Sequence, residues 1–80
     1  MHELALTSEI VAIACEAAAG QRVHTVTLDI GRLTCISPDA LEFCFDVVAQ
    51  GTLAEGARLV IRRTDGDECH VATLEIEENV

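Results

Sequence analysis

Apolar side chains recur at helical spacing over the first twenty residues. Leu6, Ile10, Ile13, Ala14 and Ala17 share one side of a segment from Leu4 to Ala19, and Gly20 follows as a C-terminal stop. This predicts a first helix. From Val23 to Ile30 the period changes: Val26, Leu28 and Ile30 alternate with Thr25, Thr27 and Asp29, as in a strand with one wet face. His24 then shares the inward face with Val26, as a hydrogen-bonded core histidine. Ser37-Pro38 reads as an N-cap and first helical residue, with Asp39 near the positive end of the helix dipole. Leu41, Phe45 and Val48 line one side of this second helix, Gly51 closes it, and Cys35 and Cys44 read as packing residues.

The last third alternates again. Leu59 and Ile61 point one way, Arg58, Val60 and Arg62 the other, and Asp65-Gly66 is a dipeptide suited to a two-residue hairpin. With that turn Arg63 faces Glu68, Ile61 faces His70, Val60 faces Val71 and Leu59 faces Ala72, so apolar meets apolar and opposite charges pair. The order is helix, strand, helix, strand, strand. A right-handed crossover through the second helix makes the first two strands parallel, and the hairpin makes the third antiparallel to the second. The expected fold class is α/β in the wide sense, an α+β two-layer sandwich with two helices on one face of a mixed three-stranded sheet. Thr25, Thr27, Asp29, Arg58, Arg62, Thr73, Glu75 and Glu77 occupy the other face; strand order stays open.

Composition narrows the function. Eighty residues, half of them hydrophobic, with a mean hydropathy of +0.33, fit one small folded domain spanning 1–80. Five Arg and no Lys against 14 Asp plus Glu give a net charge of −9, which repels phosphate backbones and argues against nucleic acid. The apolar run Ile10 to Ala19 is broken by Glu16 and falls short of the roughly 20 residues that span a membrane. The start, Met1-His2-Glu3, lacks a basic secretory opening, so the expected setting is cytoplasmic. Cys15, Cys35, Cys44 and Cys69 form no C-x-x-C pair and are expected as reduced thiols.

No catalytic template is present, and Asp65-Gly66-Asp67-Glu68 lacks the length and closing glutamate of a calcium loop, so the chain reads as a non-enzyme. One feature carries chemistry. The Met1 amine, the His2 main-chain nitrogen and the His2 imidazole can close adjacent chelate rings on one metal ion, with Glu3 or another donor in the fourth position. Three nearly coplanar nitrogens suit square-planar Ni(II) or Cu(II), whereas zinc prefers a tetrahedron of side chains. His2 is bulky, so the aminopeptidase that favours small second residues leaves Met1 in place. A Met-His start alone carries little weight.

Longer stretches add to it. Met1-His2-Glu3-Leu4, Leu28-Asp29-Ile30-Gly31-Arg32-Leu33, Ser37 through Asp46, and Gly51-Thr52-Leu53-Ala54-Glu55-Gly56-Ala57 closely resemble the HypA family, nickel-insertion accessory proteins for [NiFe]-hydrogenase that are also linked to urease. The resemblance implies a metallochaperone fold of two helices on a mixed three-stranded sheet, with Ni(II) bound at Met1, His2 and Glu3. It implies a HypB-type GTPase and the hydrogenase large subunit as partners. The family's zinc ribbon, with its two C-x-x-C pairs, is missing between Arg63 and Cys69, so no structural zinc is expected. The competing reading is a metal-independent interaction module. Its acidic helices, or a sheet face centred on Val60 and Val71, would dock on a maturation partner or pair two copies.

Overall fold

The computed structural model describes residues 3–77. Five elements follow one another: α1 (Glu3–Ala18), β1 (Val23–Gly31), α2 (Pro38–Ala49), β2 (Arg58–Thr64) and β3 (Cys69–Ile76). They form a two-layer α+β sandwich, as the spacing of apolar residues predicts. The helices pack mainly on each other, with α1 over β1 and β3 and α2 over β2.

The sheet order is β2-β1-β3, with β1 parallel to β2 and antiparallel to β3. The expected β2–β3 hairpin does not form. Its pairings Arg63 with Glu68, Ile61 with His70, Val60 with Val71 and Leu59 with Ala72 are replaced by pairings of both strands to β1. Val26, Leu28 and Ile30 are fully buried, and a central position gives their strand a ladder on each side. Residues 65–68 therefore cross the end of β1 instead of turning back on β2. Gly31 N–H donates to the Glu68 carbonyl at 2.7 Å, Arg32 N–H to Thr64 at 2.8 Å and Leu33 N–H to Gly66 at 3.0 Å. A Cβ on Gly31 would fall on the Gly66 carbonyl, so the crossing requires glycine there.

Bulges reset which side chains face inward. The β1–β3 register shifts between Val23 and Thr25 and again between Thr27 and Leu28. His24 falls in the first shift and is exposed, its Nδ1 2.8 Å from the Thr25 hydroxyl, rather than set in the core. After the second, Val71 lies opposite Leu28 and packs on the core, leaving Val60 without it on the open face. His70 lies opposite Asp29, not Ile61.

The buried stripe of α1 is Thr7, Ile10, Val11, Ala14 and Ala18, whereas Ile13 and Ala17 are exposed. Thr7 tolerates complete burial because its hydroxyl donates to the Glu3 and Leu4 carbonyls at 2.8 and 2.9 Å. Helix α2 buries Leu41, Phe45 and Ala49, with Val48 at the margin. Ser37 caps it, accepting from Ala40 N–H at 3.3 Å, and Gln50 and Gly51 end it, Gly51 at φ +78°. The four cysteines are free; Cys35 is exposed instead of packed, while Cys15, Cys44 and Cys69 are half-buried.

Candidate metal centre

Of the three residues in the amino-terminal motif, Met1 and His2 lie outside the described residues, and Glu3 opens α1. The Glu3 carboxylate reaches across to the second helix: Oε2 accepts the backbone N–H of Ser37 at 3.3 Å. The heads of both helices therefore meet, each contributing main-chain N–H groups and the positive end of its dipole, with Glu3 and Asp39 as first-turn acids. Hydrogen bonding, with the Ser37 N–H among the donors, holds the Glu3 carboxyl well below the usual carboxylate range. The carboxylate is thus anionic and anchored.

The other candidate ligands are dispersed. His24 sits at the opposite end of β1 from the helix heads, and His70 lies on the open sheet face. Among the described residues no three His, Cys, Asp or Glu side chains converge on a common point. Glu3 is the described residue that the structure contributes to the motif.

A second polar cluster spans the open face. Arg62 grips Asp29 with two bonds, Nε to Oδ1 at 2.7 Å and Nη2 to Oδ2 at 3.0 Å, and His70 Nε2 lies 3.5 Å from Oδ2. The Arg62 guanidinium holds the Asp29 carboxyl below its ordinary value, and Asp29 in turn raises Arg62. Burial pushes the Cys69 thiol up. This row was not anticipated as a unit. Its signal, Asp29 and Arg62 on one face of neighbouring strands, was present, but the assumed hairpin hid the third member.

The fold is a small α+β domain of two helices on a three-stranded sheet, and comparison with known proteins gives its family. The family model described as hydrogenase/urease nickel incorporation, metallochaperone, hypA matches residues 1–79. The hydrogenase maturation factor HypA of Geobacter metallireducens is 51% identical over 70 residues, covering 86% of this chain and 64% of the relative. That of Nostoc sp. is 52% identical over 66 residues, covering 82% and 58%. The HypA of Trichodesmium erythraeum is 49% identical over 77 residues, covering 95% and 68%. The solution structure of the Ni metallochaperone HypA from Helicobacter pylori superposes with a TM-score of 0.84 at 18% identity, covering 95% of this chain and 97% of that one. The chain belongs to the HypA family. It spans 64% and 58% of the length of the Geobacter and Nostoc relatives. No helix among the described residues is long and apolar enough to cross a membrane.

Proposed function

We propose that this chain carries Ni(II) for the maturation of [NiFe]-hydrogenase, holding one ion at its amino-terminal motif. The family match over residues 1–79 carries the reading. The ion is cargo, bound by the Met1 amine, the deprotonated His2 main-chain nitrogen and the His2 imidazole, a donor set suited to a d⁸ ion in a plane. Glu3, next in sequence, offers a carboxylate, and its bond to Ser37 ties the head of α1 to that of α2. The role is stoichiometric carriage without turnover. It takes place in the cytoplasm, with a HypB-type GTPase and the hydrogenase large subunit as exchange partners.

The scaffold works here without structural zinc. Residues 65–68 connect β2 to β3 directly, through backbone hydrogen bonds to Gly31, Arg32 and Leu33.

Titration of Ni(II) into tag-free protein is expected to give a low-spin square-planar absorption band saturating near one ion per chain. His2→Ala, or a Gly-Ser extension ahead of Met1, abolishes that band. Unchanged binding in either variant would refute the assignment.

A metal-independent docking role is favoured by one observation: Glu9 and Glu16 are both exposed on α1. Reversing both charges would weaken capture by a purified maturation partner while leaving the nickel titration intact.

A further inference from the structure

At the end of the sheet away from the helix heads, the start of β1, the turn before β2 and the residue after β3 line a pocket of about 330 Å³. Main-chain bonds between distant segments fix its frame: Val23 N–H donates to the Leu53 carbonyl at 2.9 Å and Glu77 N–H to the Arg22 carbonyl at 2.8 Å. Arg22, His24 and Arg58 line it, and Gly56 supplies a wall without a side chain. Arg22 Nη2 donates to the Glu55 carbonyl at 3.1 Å, which holds one guanidinium in place and leaves its other N–H groups unused. Arg58, the exposed first residue of β2, makes no ion pair among the described residues. His24 engages the Thr25 hydroxyl through Nδ1, which leaves its Nε2 over.

The carboxylates nearby do not take these charges. The Glu55 side chain turns to the end of α2, where Oε1 accepts the Gly51 N–H at 2.9 Å, and Glu77 is exposed and forms no ion pair among the described residues. Two unpaired arginines at one pocket are unexpected in a chain with 14 acidic residues for five arginines. Arg62, on the same strand as Arg58, is by contrast gripped by Asp29.

We propose that this pocket binds the phosphate group of a small molecule, with the Arg22 and Arg58 guanidiniums on its oxygens and His24 Nε2 as a third donor. A guanidinium fork matches phosphate oxygens with paired, charge-assisted bonds, and it cannot give up its protons. The site is therefore fixed in positive charge, which turns metal cations away and separates it in chemistry from the amino-terminal motif. Nε2 carries a proton when the Thr25 hydroxyl donates to Nδ1. The volume falls at the lower end of small-molecule sites, about 300–1,000 Å³, and leaves room for the body of a sugar phosphate or mononucleotide. Glu77 can accept a hydroxyl or amino hydrogen from that body. The chain's net charge of −9 still repels long polyanions, whereas a single phosphate within about 10 Å of two guanidiniums responds mainly to them.

The test is amide correlation NMR of the full, metal-free chain at constant ionic strength set with chloride. Inorganic phosphate, ribose 5-phosphate and adenosine 5′-monophosphate are titrated in turn, with acetate as the carboxylate control. Saturable shifts are expected at His24, Gly56 and Arg58, with a dissociation constant on the order of 1 mM or tighter. Arg22→Gln and Arg58→Gln each weaken binding about ten-fold or more, the loss of a charge-assisted bond. Arg58→Gln is the decisive variant, because Arg58 pairs with nothing among the described residues, and a dispersed spectrum confirms the fold of each variant. Arg63→Gln, the same change about 17 Å further along β2, leaves binding unaltered. Glu77→Gln tightens it by removing a like charge. Equal affinity for the three phosphates supports the proposal with free phosphate as the ligand, and a tighter ester supports it with an esterified one. Shifts that do not saturate, that acetate reproduces, or that survive Arg58→Gln overturn it.

Discussion

Ser37, the cap of α2, donates its backbone N–H to the carboxylate of Glu3 at the head of α1, 3.3 Å away. One contact spanning 34 positions in sequence thus ties the head of α1 to the head of α2. A glutamine oxygen can accept the same N–H, whereas an alanine cannot. Glu3→Gln is therefore expected to bind Ni(II) close to the parent, and Glu3→Ala more weakly and with a lower melting temperature. Isothermal titration and thermal melts of the two variants decide between anchoring and ligation. A Gln variant as impaired as Ala would mean that the carboxylate's charge or a metal bond is required, not the anchor.

Gly31 is the second sensitive position. Any Cβ there meets the backbone of the crossing at Gly66, which cannot yield without breaking the bonds from Gly31, Arg32 and Leu33. Gly31→Ala is expected to cost about 2–4 kcal/mol, the upper range for steric misfit in a packed site. Urea denaturation measures it. A loss below about 0.5 kcal/mol, the level of an ordinary surface change, would mean that the crossing is looser than described.

Asp29 sets an acid limit on stability. Its folded-state value lies below its unfolded one because of Arg62. Its contribution is therefore present above the unfolded value and fades as pH falls through the folded value, a window beginning near pH 4 and extending downward. Glu68 is shifted in the same direction and adds to the same window. Asp29→Asn is expected to be less stable than the parent at pH 7 and to lose less on acidification. Urea midpoints at pH 7 and about pH 3.5 test this; parallel curves for the two proteins would contradict it.

The cysteines should separate by reactivity. Cys35 is exposed, whereas Cys69 packs against the core and burial pushes its thiol up, which depletes the nucleophilic thiolate. Brief iodoacetamide treatment followed by peptide mass spectrometry is expected to find Cys35 modified first and Cys69 last. Early labelling of Cys69 would show that β3 opens readily.

Most of the architecture was legible because local patterns survive packing. The Ser37-Pro38 start of α2, the inward run Val26, Leu28, Ile30 and the order of elements all follow from spacing and cap chemistry. The failure at Asp65-Gly66 has a definite cause. Turn propensity and pairwise matches are judged between two strands, whereas the winning arrangement depends on a third, buried one that gains two ladders by sitting between them. Thr7 escaped notice because its polarity is cancelled by carbonyls of its own helix, and His24 because a bulge breaks the strict alternation. For the candidate metal site, the motif is visible in the first three residues. The Glu3–Ser37 bond is not, since nothing in a linear string tells position 3 that position 37 is adjacent.

The segment bridging β2 to β3 has a consequence for how this scaffold can vary. Its two ends already stand on opposite flanks of the middle strand, so the bridge behaves like a handle fixed at both feet. Handles can be lengthened: opening the chain between Asp65 and Gly66 disturbs neither ladder, and each doubling of a flexible span costs only about 0.6 kcal/mol of closure entropy. A whole module could be fitted or removed at that point while the layer beneath keeps its shape, which leaves appendage size free to diverge among descendants of one common frame.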